Sequence, residues 1–92
     1  MEKVVVFGVG RNYQKYKDFI CHNFDIVGFI DNAWDIINAC ERGMEVYPIE
    51  HIGEMNFDKV IITPIAYYED IYNQLLEASI SKDIVNDINN CA

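Results

Sequence analysis

The 92-residue sequence predicts a single α/β domain of three layers, one parallel sheet between two layers of helices. Three observations carry that reading. Apolar runs rich in β-branched residues, VVVF at 4–7, DIVGFID at 25–31 and DKVIIT at 58–63, have the composition of parallel strands covered on both faces. Between them stand segments of helical period. The clearest, 68–78, places Tyr68, Ile71, Tyr72, Leu75 and Leu76 on one stripe and turns Glu69, Asp70, Asn73 and Glu77 to water. The alternation, β-α-β-(β)-α-β-α-β, requires right-handed crossovers and gives a strand order of 3-2-1-4-5.

The chain is organised around residues 3–11, KVVVFGVGR, a strand that runs through Gly8 and Gly10 into a helix. Glycine lets the backbone turn sharply and lets a phosphate approach the main chain, while the N–H groups of the following helix favour an anion. The unit opens like a dinucleotide-binding βαβ motif. Its fingerprint, G-x-G-x-x-G, is incomplete: the third position is Tyr13, which implies a helix set further from the sheet or a side chain tilted aside. Residues 12–22 read as the first helix, capped by Asn12, with Tyr13, Tyr16, Phe19 and Ile20 as its apolar stripe. Tyr13 and Lys17 have the Y-x-x-x-K spacing of short-chain dehydrogenases. In those enzymes the pair lies much further along the chain, beside the nicotinamide, so here the spacing is coincidence.

Residues 25–31 form the second strand and deliver Asp31 to its carboxyl edge, at the roughly 20-residue distance from the glycines expected of a ribose-binding carboxylate. Asp31 also suits a turn capped together with Asn32, and the two roles are compatible. Residues 33–42 form a short helix or an irregular excursion ended by Gly43, in which Trp34, Ile36 and Ile37 need cover from the sheet or from another chain. Residues 44–48, MEVYP, read as a short edge strand stopped by Pro48. Pro48 then enters the first turn of a small helix through Ile49, Ile52 and Met55 that ends near Asn56. Residues 58–63 are the next central strand, closed by Pro64, which leaves Thr63, Pro64 and Ile65 at the carboxyl edge beside the glycine loop. A turn at 80–83, a last strand at 84–88 and a frayed tail at 89–92 complete the chain.

In open α/β sheets ligands bind outside the carboxyl ends of the strands. That rule gathers Gly8, Gly10, Arg11, Asn12, Asp31, Asn32, Thr63 and Pro64 into one candidate nucleotide site. The formal charge of −8 argues against nucleic acid as a partner. Lys15 and Lys17 read as a solvated helix face, and Arg11 as the cation placed for phosphate. Cys21, Cys40 and Cys91 form no zinc or disulfide pattern and read as buried or half-buried thiols. His22 beside Cys21 points about a hundred degrees away from it on a helix, so the two are no nucleophile–base pair. His51 reads as a surface histidine. No apolar stretch approaches the ~20 residues of a membrane span, and the strand starting after Glu2 is no signal peptide, so the expected compartment is a reducing cytoplasm.

The series VVVFGVG, DIVGFIDN, MEVYPIEHI, FDKVIITP and YYEDIYNQLLEASI resembles the small Rossmann-like domain of bacterial polysaccharide-synthesis proteins. It is similar to the N-terminal domain of sugar O-acyltransferases and to that of membrane-associated nucleotide-sugar epimerases and dehydratases. The resemblance implies that Gly8, Gly10 and Asp31 line a nucleotide or nucleotide-sugar site, with Thr63 and Pro64 as a wall. The chain departs from relatives at Arg11 and Asn12, where they often carry small residues. It also lacks the acyltransferase β-helix and the epimerase catalytic domain, so chemistry belonging to those parts does not carry over. The expected function is a module that binds NAD(H) or a UDP-sugar for a partner enzyme of glycan synthesis. The alternatives are a subunit or remnant of an epimerase- or dehydratase-type enzyme whose site a dimer completes, and an empty scaffold. No catalytic or metal-binding set is evident. Trp34, Ile36, Tyr67 and Tyr68 offer apolar surface for a homodimer, and Asp31 with no nearby cation before Arg42 favours NAD(H) over NADP(H).

Overall fold

The computed structural model describes residues 1–40, 43 and 45–91, with 90 and 91 described by their backbone alone. Expectations that fall on Arg42, Met44, the Cys91 side chain and Ala92 lie outside the described residues. Five parallel strands, β1 (Lys3–Phe7), β2 (Asp25–Ile30), β3 (Val46–Tyr47), β4 (Lys59–Ile62) and β5 (Val85–Asp87), stand in the order β3-β2-β1-β4-β5. This is the 3-2-1-4-5 order expected from the sequence. β1 occupies the middle because it is apolar on both faces: Val4 and Val6 point to one side, Val5 and Phe7 to the other, and all four are buried.

Each face receives its own layer. On the Val4/Val6 face lie α1 (Arg11–Asn23), through Tyr13 and Ile20, α4 (Ile88–Cys91), through Ile88, and α2 (Trp34–Ala39), through Ile37. On the Val5/Phe7 face lie α3 (Tyr68–Glu77), through Ile71 and Leu75, and the 3-10 turn Ile49–Glu54, through Ile52. Tyr13 resolves the missing third glycine by packing its ring between helix and sheet, edge-on to Phe29 at 5.4 Å between centroids and 76° between planes. Burial, with a smaller contribution from Cys21, pushes its hydroxyl pKa up.

Several boundaries differ from the sequence expectation for local reasons. Gly10, not Asn12, caps α1, and the Asn12 amide is spent on the Thr63 carbonyl at 2.9 Å. β2 is not buried along its whole length: Val4 pairs with Ile26 and Val5 with Gly28, so Val27 is the extra residue of a bulge and stands 41% exposed. α2 is shorter than 33–42 and contains no buried residue. Pro48 is the extended cap of the 3-10 turn, outside its first turn. β5 ends at Asp87, and the frayed tail expected at 89–92 is α4 as far as Cys91, anchored by a fully buried Ile88 and by the Asn89 N–H on Asp87 Oδ1 at 2.6 Å. Cys21 and Cys40 are exposed free thiols, not buried ones. Ile20 faces the sheet, and the next residue on a helix turns away from it.

β3 is an edge strand of two residues. The Tyr47 carbonyl accepts the Asp31 N–H toward β2 at 3.2 Å, so the N–H and C=O of Val46 face away from the sheet. The Asn38 carboxamide takes both, accepting from the Val46 N–H at 3.0 Å and donating to its carbonyl at 2.7 Å. Together with Ile37 this holds α2 in place. Among the described residues no helix is long and apolar enough to cross a membrane.

Candidate functional site

All five strands point their carboxyl ends the same way, and the helices that follow β1 and β4 leave on opposite faces, so their loops part above the sheet. The floor is stitched by backbone groups. Gly8 donates its N–H to the Ile30 carbonyl at 2.8 Å, and Thr63 donates its N–H to the Phe7 carbonyl at 3.1 Å. The buried Thr63 hydroxyl donates to the Gly8 carbonyl at 2.7 Å. Gly8 sits at φ +105°, and a Cβ there would lie 2.5 Å from Pro64 Cδ and 2.7 Å from Thr63 Oγ1. This glycine therefore serves the close approach of the β1 and β4 loops and the turn itself.

Gly10 has a different task. A Cβ built on it meets nothing within 4 Å. It caps α1 without a side-chain bond, and the first turn carries no acidic residue. The first helical N–H with a partner in α1 is that of Gln14, on the Gly10 carbonyl at 3.1 Å, which leaves the N–H groups of Arg11, Asn12 and Tyr13 without an intrahelical acceptor. Open space, free amides and the Arg11 side chain coincide at one place.

Asp31 follows β2 directly, and both of its carboxylate oxygens are engaged. Oδ2 accepts the Val9 N–H at 3.0 Å and Oδ1 accepts the Ala33 N–H at 2.9 Å. The turn role anticipated for Asp31 is thus present, and it also ties the glycine loop to β2. Each oxygen keeps lone-pair capacity for a further donor. Asn32 exchanges two amide hydrogen bonds with Gln74 of α3, at 3.0 and 3.2 Å, so its side chain builds the wall.

The eight residues chosen from the sequence, Gly8, Gly10, Arg11, Asn12, Asp31, Asn32, Thr63 and Pro64, all line one cavity of about 720 Å³. Ile65, placed from the sequence at the same carboxyl edge, lines the cavity too, whereas sequence reasoning missed Asp35 and Ile36 from α2, Tyr67 after β4, and Asp70 from α3. A signal for Tyr67 was available, since it follows Ile65 at the same carboxyl edge. Asp70 was assigned to the water-facing side of its helix, and that side lines the crevice. Ile36, Ile65 and Tyr67 are 66, 55 and 64% exposed. Tyr68, expected to share this exposed apolar surface, instead packs half-buried against the Val5/Phe7 core.

Other candidates fall outside the cavity. Tyr13 is in the core, so the Y-x-x-x-K spacing has no access to it. Lys15 and Lys17 are exposed on α1, and Lys15 lies over the Tyr16 ring. The His22 ring contacts the Asp18 carbonyl. His51 is half-buried, stacked on Tyr47 at 4.1 Å and paired with Glu54 at 2.7 Å. Among the described residues no group of three His, Cys, Asp or Glu side chains could hold a metal.

A family model described as C2185-like, N-terminal, matches residues 1–86. No curated protein matches the sequence.

Proposed function

The chain belongs to the C2185-like, N-terminal family, and we propose that its crevice binds a nucleotide, NAD(H) or a UDP-sugar, as a module serving a partner enzyme of bacterial cell-surface polysaccharide synthesis. The observation that carries the reading is the convergence of the open Gly10, the free amides of α1 and Arg11 on the cavity that also receives Asp31. Backbone N–H groups at a helix start, with a guanidinium beside them, suit a phosphate group. Asp31 lines the same cavity and keeps acceptor capacity that suits ribose hydroxyls, and the exposed Ile36, Ile65 and Tyr67 offer apolar surface that suits a base. The polysaccharide setting rests on the sequence resemblance to the Rossmann-like domains of sugar O-acyltransferases and nucleotide-sugar epimerases or dehydratases. The free, exposed thiols of Cys21 and Cys40 suit a reducing cytoplasm.

Binding is preferred to catalysis because the two histidines lie outside the cavity. The exposed Trp34, Ile36 and Tyr67 favour a second reading, a subunit or remnant of an epimerase- or dehydratase-type enzyme whose site a second chain completes. A thermal-shift screen with NAD(H), NADP(H), coenzyme A and UDP-sugars tests the proposal. A ligand at one hundred times its Kd adds about 2.7 kcal/mol, a rise of order 10 °C for a domain of this size. Gly10→Ala is the companion variant: its methyl group leaves the fold unchanged but occupies the phosphate approach, so the shift disappears. No shift with any ligand returns the chain to an empty scaffold.

A further inference from the structure

We propose that the site selects a base bearing an exocyclic amino group, the class of adenine, guanine and cytosine, and rejects uracil; this rests on the nucleotide reading above and chooses among its ligands. The polar groups that line the cavity divide into engaged and free. Asn12, Asn32, Thr63 and Asp31 all have partners within the protein. Among the described residues, Arg11, Asp35, Asp70 and the Tyr67 hydroxyl line the cavity with no hydrogen-bond or ion-pair partner. Arg11 belongs to α1, on the Val4/Val6 face beside Gly10. Asp70 belongs to α3, on the opposite face, and Asp35 is the neighbour of Ile36 on α2. The free cation therefore stands at the glycine loop, and the free carboxylates accompany the apolar walls.

An ionised carboxylate only accepts hydrogen bonds. Adenine and cytosine present an amino group, and guanine an amino group next to a ring N–H, all of which donate to such an acceptor. Uracil presents one N–H flanked by two carbonyl oxygens, so a carboxylate that meets it also meets their lone pairs. A site built around acceptors discriminates against a ligand that lacks the donor, because an exposed carboxylate that the bound base covers is then left without its water and without a partner. Acids in the first turns of α2 and α3 also suit the helix dipoles. Dipole compensation accounts for an acid on each helix but not for both carboxylates lining the same cavity. The lining carries three carboxylates and one guanidinium, which disfavours anions generally and makes base-to-carboxylate hydrogen bonds the compensating contacts.

Calorimetric titration of the full chain with ADP, GDP, CDP and UDP compares four ligands with the same diphosphate. UDP is expected to bind about tenfold or more weakly than the tightest of the other three. Asp35→Asn/Asp70→Asn, two exposed positions that spare the core, is expected to bring UDP within about threefold of that ligand, since a carboxamide also donates. UDP binding as tightly as the others in the wild type overturns the base assignment alone. Discrimination unchanged in the double variant overturns it as well. No binding by any of the four overturns both this inference and the nucleotide reading beneath it.

Discussion

Replacing Gly8 with alanine tests whether the crevice floor is held by contact between the β1 and β4 loops. Three costs add. A residue with a Cβ held at φ +105° carries strain of about 1–3 kcal/mol. The new methyl group would lie within 2.7 Å of Pro64 Cδ, Pro64 Cγ and Thr63 Oγ1, overpacking worth a further ~1–3 kcal/mol. Any shift that relieves it lengthens the 2.7 Å bond from the Thr63 hydroxyl to the Gly8 carbonyl, at about 0.5–1.5 kcal/mol. The sum, roughly 2.5–7.5 kcal/mol, is a large part of the ~5–14 kcal/mol expected for a domain of this length, and lowers Tm by an order of 20 °C. Urea denaturation followed by far-UV circular dichroism reads it, with Gly10→Ala as the control that shifts stability by less than about 0.5 kcal/mol. In a Pro64→Ala background, where Cδ and Cγ are gone, the cost of Gly8→Ala should fall by about 1–3 kcal/mol. A Gly8→Ala protein within about 1 kcal/mol of wild type, or one no worse than Gly10→Ala, would refute the close-approach account.

Three further outcomes are expected. NAD(H) should bind about tenfold or more tightly than NADP(H), because the Asp31 carboxylate lines the cavity and repels a 2′-phosphate; equal calorimetric affinities would limit Asp31 to its two backbone bonds. Burial raises the Tyr13 and Tyr68 hydroxyl pKa values above 10, so the folded chain keeps protons that the unfolded chain has released. Stability is therefore full below pH 10 and falls as pH rises past it, and Tyr13→Phe should flatten that fall in alkaline urea melts, an unchanged slope counting against the assignment. Sedimentation at high micromolar concentration should show self-association that Tyr67→Asp weakens, since Trp34, Ile36, Ile65 and Tyr67 are all exposed; monomer alone at that concentration would exclude it.

The strand order and the convergence of the eight candidate residues on one cavity were legible because both follow from chain-level rules: parallel strands need crossovers, and carboxyl-edge loops meet above the sheet. Less legible were features decided by a neighbour far along the chain. Asn12 has the chemistry of a cap but gives its amide to Thr63, 51 residues away. Val27 continues an apolar run, and only the pairing with β1 shows that it is the surplus residue of a bulge. Asp70 has the periodicity of a solvent-facing residue, and periodicity does not distinguish open solvent from a crevice. Ile88 closes the segment IVNDI, which reads as the last strand, yet it is the buried first residue of a short helix.

The carboxamide of Asn38 on Val46 bears on how copies of this chain can meet. The outer rim of a sheet is ordinarily a template, on which the next strand adds by continuing the ladder of main-chain bonds. Here the rim at β3 offers one outward-facing residue, and its donor and acceptor are already taken from within the same chain. An incoming strand must first evict a tethered side chain that competes at high effective concentration, so ladder growth from this side is stopped at its first rung. Asn38→Ala would leave those groups to water, and aggregation seeded at this rim should then begin sooner under agitation.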